Sequence, residues 1–585
     1  MIDRAKIELN TSDLNICLAT LSLYICVYGL VSYVVKHRLY LSEPLIALLF
    51  GIIVGPAVLG WVNPNLWKPE EDMQMGHKDS LTLALTRITI GIQVFFAGVA
   101  LPKKYLKTEF QSLVVLLLPI MCIAWLVCGF LIFKLIPNLT FMEALLISAC
   151  ITPTDPVLAN SITKGRYAEE SVSPAIRNII VAESGANDGL GYPFVFLPLF
   201  AFLARSSEEF YAPNRQLSGV IARWIYETWL YQIAFSVALG FLIGWVARKS
   251  LRWCEERGML DDDNFVAYGT GLSFFCLGFL GIFPKIGSDD ILCSFVAGNS
   301  FSWDDKPHAA PQDKVKRPEG RQMVSGSYDP ERQVEIPDKF KAPSTHEAPN
   351  PESFQDIIDM LLNAAIFMYI GAIIPWSAYN DLATGIRPWR IVVLALCVML
   401  FRRLPWVVGI YKLIPAISSM REAIFTGWFG PIGVSAVFYV QVALAYLPSD
   451  GREQVKMAVQ PVVYFIVFTS VLVHGVTVPM TKAFVHGVTL TRTLTQTGET
   501  VQRNSKAPVL IGDIHRVGIP VPLATYQSQT SGRVSASVTP SLRPNSPELE
   551  AGLAISAKQS LDEGPRTRAP SPPPEGRTIM FKNSV

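Results

Sequence analysis

Charge is what this chain has least of: only 17% of its 585 residues are Asp, Glu, Lys or Arg, while half are hydrophobic. Such a balance excludes an ordinary soluble domain with a charged surface. A net charge of +2 gives no electrostatic footprint for nucleic acid. No GxxxxGK[ST] loop occurs, so direct use of ATP through such a loop is excluded. The nine cysteines have no metal-ligand spacing, and several (Cys122, Cys128, Cys276, Cys397) lie inside apolar runs, where they read as buried thiols. The chain shows no cofactor motif, and no cofactor is expected.

Mean hydropathy is +0.33, and it is unevenly spread. Residues 302–353 and 486–585 are polar. The remaining roughly 430 residues leave room for about 12 to 14 membrane-spanning helices of about 20 residues each. Thirteen candidate spans can be read, near 14–35, 44–60, 83–101, 112–135, 141–162, 174–203, 226–247, 265–282, 287–301, 355–375, 388–411, 421–446 and 459–481. The first is too long for a signal h-region and has no small-residue cleavage site, so it counts as a true span. Basic loops at Lys36–Arg38, Lys103–Lys107, Lys164–Arg166 and Arg248–Arg257 alternate with less basic ones. The positive-inside rule then places those loops, the 302–353 loop and the C-terminus in the cytoplasm. The expected organisation is a transmembrane domain over 1–485 and a mostly disordered cytoplasmic tail over 486–585. That tail carries Thr539-Pro540, Ser546-Pro547 and Ser571-Pro572 as candidate kinase sites.

Two polar motifs interrupt the apolar sequence: Ile151-Thr152-Pro153-Thr154-Asp155-Pro156 and Glu183-Ser184-Gly185-Ala186-Asn187-Asp188-Gly189. A carboxylate at membrane depth costs roughly 2.5–3.5 kcal/mol on insertion scales, so it marks a function or a paired structural charge. Pro153 and Pro156 should unwind the fifth span around Asp155. Gly427-Trp428-Phe429-Gly430-Pro431-Ile432-Gly433 should break the twelfth in the same way. Unwound backbone at that depth needs a protein-lined or wet cavity. Broken helices at matching places in two halves point to a transporter of inverted repeats with its site at the midplane. In the sixth span, positions four apart share a face. Ser184 and Asp188 should therefore face one way, and Glu183 and Asn187 a neighbouring way. Glu183 then needs a cationic partner, which Arg402 or Arg403 can supply.

The chemistry expected of this set is cation binding in competition with a proton. A carboxylate taken out of water favours its protonated form. Small alkali cations prefer hard oxygen ligands. Asp188 can hold either, with Thr154, Ser184 and Asn187 as further oxygen ligands. Asp155 is either a second Na⁺ ligand or the charge that sets the local field. Mutually exclusive binding with alternating access is antiport. An intramembrane aspartyl protease would also use two carboxylates on adjacent helices, but the contexts Thr154-Asp155-Pro156 and Asn187-Asp188-Gly189 lack its Tyr-Asp and Gly-x-Gly-Asp motifs. An organic-solute transporter on a similar scaffold would need a larger cavity, and no repeated pore filter points to a channel.

These motifs, with Ser288–Gly298, Phe301-Ser302-Trp303-Asp304 and Phe429–Val434, resemble the monovalent cation/proton antiporter superfamily, and most closely its fungal plasma-membrane Na⁺/H⁺ antiporter branch. The resemblance covers about residues 10–485. It implies an all-α polytopic membrane protein with two crossed broken helices, and a core domain that moves elevator-like against a dimerisation domain in a homodimer. It also implies export of Na⁺, Li⁺ and K⁺ in exchange for H⁺, supporting salt tolerance and cation and pH homeostasis at the plasma membrane. By motif position Asp188 matches the ion- and proton-binding aspartate, Asn187 its preceding amide, Asp155 the aspartate of the broken helix, and one of Arg402 and Arg403 the core arginine. Asp289 and Asp290 resemble a cation-access or selectivity element of the fungal branch; a solvated helix start is the alternative reading. His474, in the last span, reads as a hydrogen-bonded packing residue or as a pH sensor.

Overall fold

The structure, a computed structural model, describes residues 13–66, 77–163, 172–204, 217–259, 264–282, 289–303, 351–448 and 452–503. Among them every regular element is a helix. The helices used below are α1 (Asp13–Tyr33), α2 (Glu43–Val54), α3 (His77–Ala100), α4 (Phe110–Leu135), α5 (Phe141–Cys150), α6 (Pro156–Thr163), α7 (Pro174–Gly189) and α8 (Tyr192–Leu203). They continue with α9 (Leu217–Glu255), α10 (Asn264–Gly281), α11 (Asp290–Phe301), α12 (Pro351–Ile373), α13 (Pro388–Phe401) and α14 (Leu404–Ile410). The last three are α15 (Met420–Trp428), α16 (Val434–Tyr446) and α17 (Glu453–Arg503).

Among the described residues, eight helical stretches are long and apolar enough to cross a membrane: 15–36, 78–100, 110–135, 174–203, 217–255, 357–380, 388–413 and 453–477. The spans expected at 44–60, 141–162, 265–282 and 421–446 fall on shorter apolar helices, Glu43–Val54, Phe141–Cys150, Ala267–Gly281 and Val434–Tyr446. The reading of the fifth and twelfth spans as interrupted agrees with the helices, since α5 stops before Pro153 and α15 stops before Gly430-Pro431. Each of these first halves opens with a capping box, Thr140 with Glu143 and Ser419 with Glu422. The same local chemistry thus starts both broken helices.

Three features depart from the sequence reading. The eleventh span is not continuous: Arg403, at φ −132° and outside the helical region, separates α13 from α14, with Pro405 in the first turn of α14. The sixth is interrupted at Leu190–Gly191 between α7 and α8. The last helix runs on to Arg503, so the expected boundary at residue 486 falls inside it. The Ser/Thr-Pro segment of the tail, and the 302–353 loop from 304 to 350, lie outside the described residues.

Helix α2 packs along α12, and α11 lies between α3 and α9. The α2–α12 contact is a backbone-to-backbone approach. A Cβ on Gly51 would sit 2.1 Å from the Met368 carbonyl oxygen, and one on Gly371 would sit 2.3 Å from that of Leu48. Small residues allow such proximity in membrane helices. Gly371→Ala should therefore push α2 from α12 and cost about 1–3 kcal/mol, as overpacking does. A lowered midpoint of thermal unfolding in detergent is the expected outcome. An unchanged midpoint would show that the helices can separate freely.

Candidate functional site

The two breaks meet. The Asp155 amide donates to the Pro431 carbonyl at 2.9 Å, joining the unwound stretch after α5 to the unwound stretch after α15. Four half-helix ends converge there, and each leaves backbone groups without helical partners. Two side chains answer them. Asp155 accepts from the Val157 and Leu158 amides at 2.8 and 3.1 Å through Oδ1, and from the Val434 amide through Oδ2. It thus caps the N-termini of both α6 and α16 and places its negative charge at their positive ends. Arg402 does the converse. Its Nη1 donates to the carbonyls of Ile151, Thr152 and Pro153 at 2.9, 3.0 and 3.2 Å, and its Nη2 to Gly430. A cation therefore lies where the C-terminal carbonyls of α5 and α15 gather.

The break at 402–403 explains how neighbouring arginines serve different partners. Arg403 forms a two-pronged ion pair with Glu183 of α7 and also donates from Nε to the Thr426 carbonyl at 3.0 Å. Both members of the pair are buried. The choice left open between Arg402 and Arg403 as the partner of Glu183 is made in the structure by Arg403.

Thr154 is the hub of the oxygen-bearing side chains. Its amide donates to Asn187 Oδ1 at 3.2 Å, its hydroxyl accepts from Asn187 Nδ2 at 2.7 Å, and Ser184 Oγ lies 3.1 Å from that hydroxyl. Ser184 and Asn187 thus meet the same residue. Residues three apart on a helix are neighbours as much as those four apart. A cavity beside this group is lined by Thr152, Thr154, Glu183, Asn187, Arg402 and Arg403 on one side and by Leu116, Ile120, Met121 and Ala124 on the other. Asp188 is not part of its lining.

Asp188 differs from every other acid in the core. It is fully buried, and neither of its carboxylate oxygens has a hydrogen-bond partner among the described residues. The Ser435 hydroxyl, in the first turn of α16, faces the Asp188 carboxylate but lies outside hydrogen-bond geometry. Asp155 and Asp289 are charged neighbours near enough to act on it. The backbone of Asp188 is held, because Tyr439 donates its hydroxyl to the Asp188 carbonyl and lies 3.3 Å from that of Gly189.

Asp289 and Asp290 are buried, which removes the solvated-helix-start reading. Asp289 caps α11 through Oδ1, accepting from the Leu292 amide at 3.0 Å, and leaves Oδ2 without a partner among the described residues. A Cβ on Gly189 would come within 3.0 Å of that oxygen and 2.4 Å of the Leu292 Cβ. Glycine after Asp188 thus lets α11 approach. Asp290 pairs with Arg87 of α3, whose Nη2 also donates to the Leu277 carbonyl at 2.8 Å. Sequence reading missed Arg87, Ser435 and Tyr439. Arg87 had a signal, being a lone arginine within an apolar span. Ser435 follows the second break much as Thr154 and Asp155 sit in the first.

Fold and site together define a multi-pass helical membrane protein with a buried, unpartnered carboxylate beside the junction of two broken helices. Comparison with known proteins agrees. The family described as "Sodium/hydrogen exchanger, transmembrane" matches residues 23–317 and 339–483, and the chain belongs to that family. It is 36% identical over 510 residues to a Na⁺/H⁺ antiporter of Saccharomyces cerevisiae, covering 84% of this chain and 46% of the relative. It is 34% identical over 559 residues to Na⁺/H⁺ antiporter 2 of Zygosaccharomyces rouxii, covering 92% and 62%. The chain thus spans about half to three-fifths of the length of these curated relatives. Its fold is similar to that of the sodium proton antiporter MjNhaP1 from Methanocaldococcus jannaschii, with a TM-score of 0.54 at 16% identity over 80% of this chain and 97% of that one.

Proposed function

We propose that the protein is a secondary antiporter that exports Na⁺, Li⁺ and K⁺ in exchange for H⁺, with cation and proton competing for the Asp188 carboxylate. The observation that carries this reading is that carboxylate itself. A buried polar group without a partner is costly and is not kept for stability. A carboxylate that must find either a proton or a cation is the simplest element of an exchanger. Na⁺, Li⁺ and K⁺ are hard cations suited to oxygen donors, and the Ser435 hydroxyl lies beside Asp188. The Thr154, Ser184 and Asn187 group supplies further oxygens nearby. Asp155 acts here by charge and position, since its oxygens are engaged by three backbone amides. The Glu183–Arg403 pair is structural. Asp289, with one free oxygen across Gly189, guards cation access or selectivity, and Asp290 is neutralised by Arg87.

The relatives' names support the Na⁺/H⁺ part of this reading; a homodimer, elevator-like alternating access, a plasma-membrane location with a cytoplasmic C-terminus, kinase control of the tail and a part in salt tolerance are its extensions. The test uses purified protein in liposomes with an acid interior. Addition of NaCl, LiCl or KCl should raise the lumen pH, and choline chloride should not. If folded, inserted protein gives no response to any of these salts, the reading fails in favour of an organic-solute transporter on the same scaffold.

A further inference from the structure

Several peptide groups of the second break find partners outside its own helices, and two of them are met from an element that the site chemistry above does not use. The Gly430 carbonyl is taken by Arg402 and the Pro431 carbonyl by the Asp155 amide. The Val434 amide goes to Asp155 and the Gly430 amide to the Trp428 carbonyl at 2.9 Å. The Ile432 amide and the free capacity of the Trp428 carbonyl are met from elsewhere. Both are answered by α17: Ile432 donates to Ser470 Oγ at 2.8 Å, and His474 Nε2 lies 3.0 Å from the Trp428 oxygen. A carbonyl can only accept, so in the tautomer with its proton on Nε2 the ring donates to Trp428. The other ring nitrogen, Nδ1, lies 2.8 Å from the Ser470 carbonyl and 3.3 Å from its hydroxyl. The imidazole also packs against the rings of Trp428 and Phe429, at 5.8 and 6.2 Å between centroids.

We infer that Ser470 and His474, one turn apart on α17, form a clamp that holds the unwound 428–433 stretch in the shape that places Asp155, Arg402 and Ser435 around the cation site. They are positioning residues, and neither touches Asp188. A purely packing histidine would be served by any partner. Here both side chains reach the backbone groups that a broken helix leaves over, on either side of Gly430-Pro431. Removing one leaves a buried peptide group unpaired and lets the stretch shift.

The inference rests on the antiporter reading for its kinetic arm and is independent of it in its structural arm. Ser470→Ala, His474→Leu and His474→Gln are compared with wild type, glutamine keeping a donor for the Trp428 carbonyl. Amide hydrogen exchange should quicken in peptides covering 428–434 of Ser470→Ala and His474→Leu and stay near wild type elsewhere. In proteoliposomes the same two variants should show an apparent cation KM or turnover altered about tenfold, the scale of one lost hydrogen bond to a buried group. His474→Gln should recover most of both. Unaltered exchange at 428–434 in both variants overturns the clamp, whatever the transport assay reads. So do wild-type KM and turnover in both variants. A wild-type protein that moves no cations would instead defeat the antiporter reading and leave the exchange arm to decide the clamp.

Discussion

Asp188→Asn is expected to reduce cation-driven proton movement to the level of protein-free liposomes while making the protein more resistant to heat. The two effects have one cause. The carboxylate of Asp188 is fully buried with no hydrogen-bond partner for either oxygen among the described residues. Asparagine keeps its shape and removes the carboxylate to which the proposed exchange assigns the proton and the cation. It also removes the penalty of a buried, unpaired charge, of which roughly 1–3 kcal/mol is recoverable on the scale of unsatisfied buried groups. Functional residues often sit at such stability losses. A variant that exchanges cations at the wild-type rate would show that the titrating group lies elsewhere. A variant that melts lower at every pH would show that the carboxylate has partners when the protein is at rest.

The Glu183–Arg403 pair should behave in the opposite sense. Either partner alone, replaced as Glu183→Leu or Arg403→Met, leaves a buried charge uncompensated, at a cost of about 3–5 kcal/mol. Replacing both at once removes both desolvation costs. The double variant is therefore expected to melt above either single variant, a coupling that thermal unfolding of the three proteins measures directly. Some of the loss should remain in the double variant, because Arg403 also donates to the Thr426 carbonyl. The double variant should also keep measurable exchange, in contrast to Asp188→Asn, because the pair braces α7 against the 402–403 break without touching Asp188. Strictly additive losses would show that the two charges are independent, and complete loss of exchange in a well-folded double variant would place them in the ion path. Arg402 makes a useful contrast, since its four carbonyl partners carry no titratable group and no second replacement can relieve its loss.

Much of this protein follows from its sequence because the relevant physics is local. Long apolar runs can only be membrane helices. Paired prolines around Asp155 and the Gly430-Pro431 pair disfavour a continuous helix, so both breaks are legible, and an aspartate inside an apolar run singles out Asp188 and Asp155 as candidates before any coordinates. What tertiary structure decided is which group meets which. Arg402 and Arg403 are adjacent in sequence and equivalent by composition. Only the break between α13 and α14 turns one toward the carbonyls of α5 and α15 and the other toward Glu183. Asp155 reads either as a second ligand or as the charge that sets the field, and only the structure shows the Val434 amide, 279 residues away, donating to its second oxygen. Ser435, Arg87 and the Ser470–His474 clamp have ordinary local contexts, and they gain a role only from what packs against them. The reason is physical: helix breaks and burial are set by a few neighbouring residues, whereas hydrogen bonds and ion pairs at the centre of a bundle join segments hundreds of residues apart, and no local periodicity encodes that pairing.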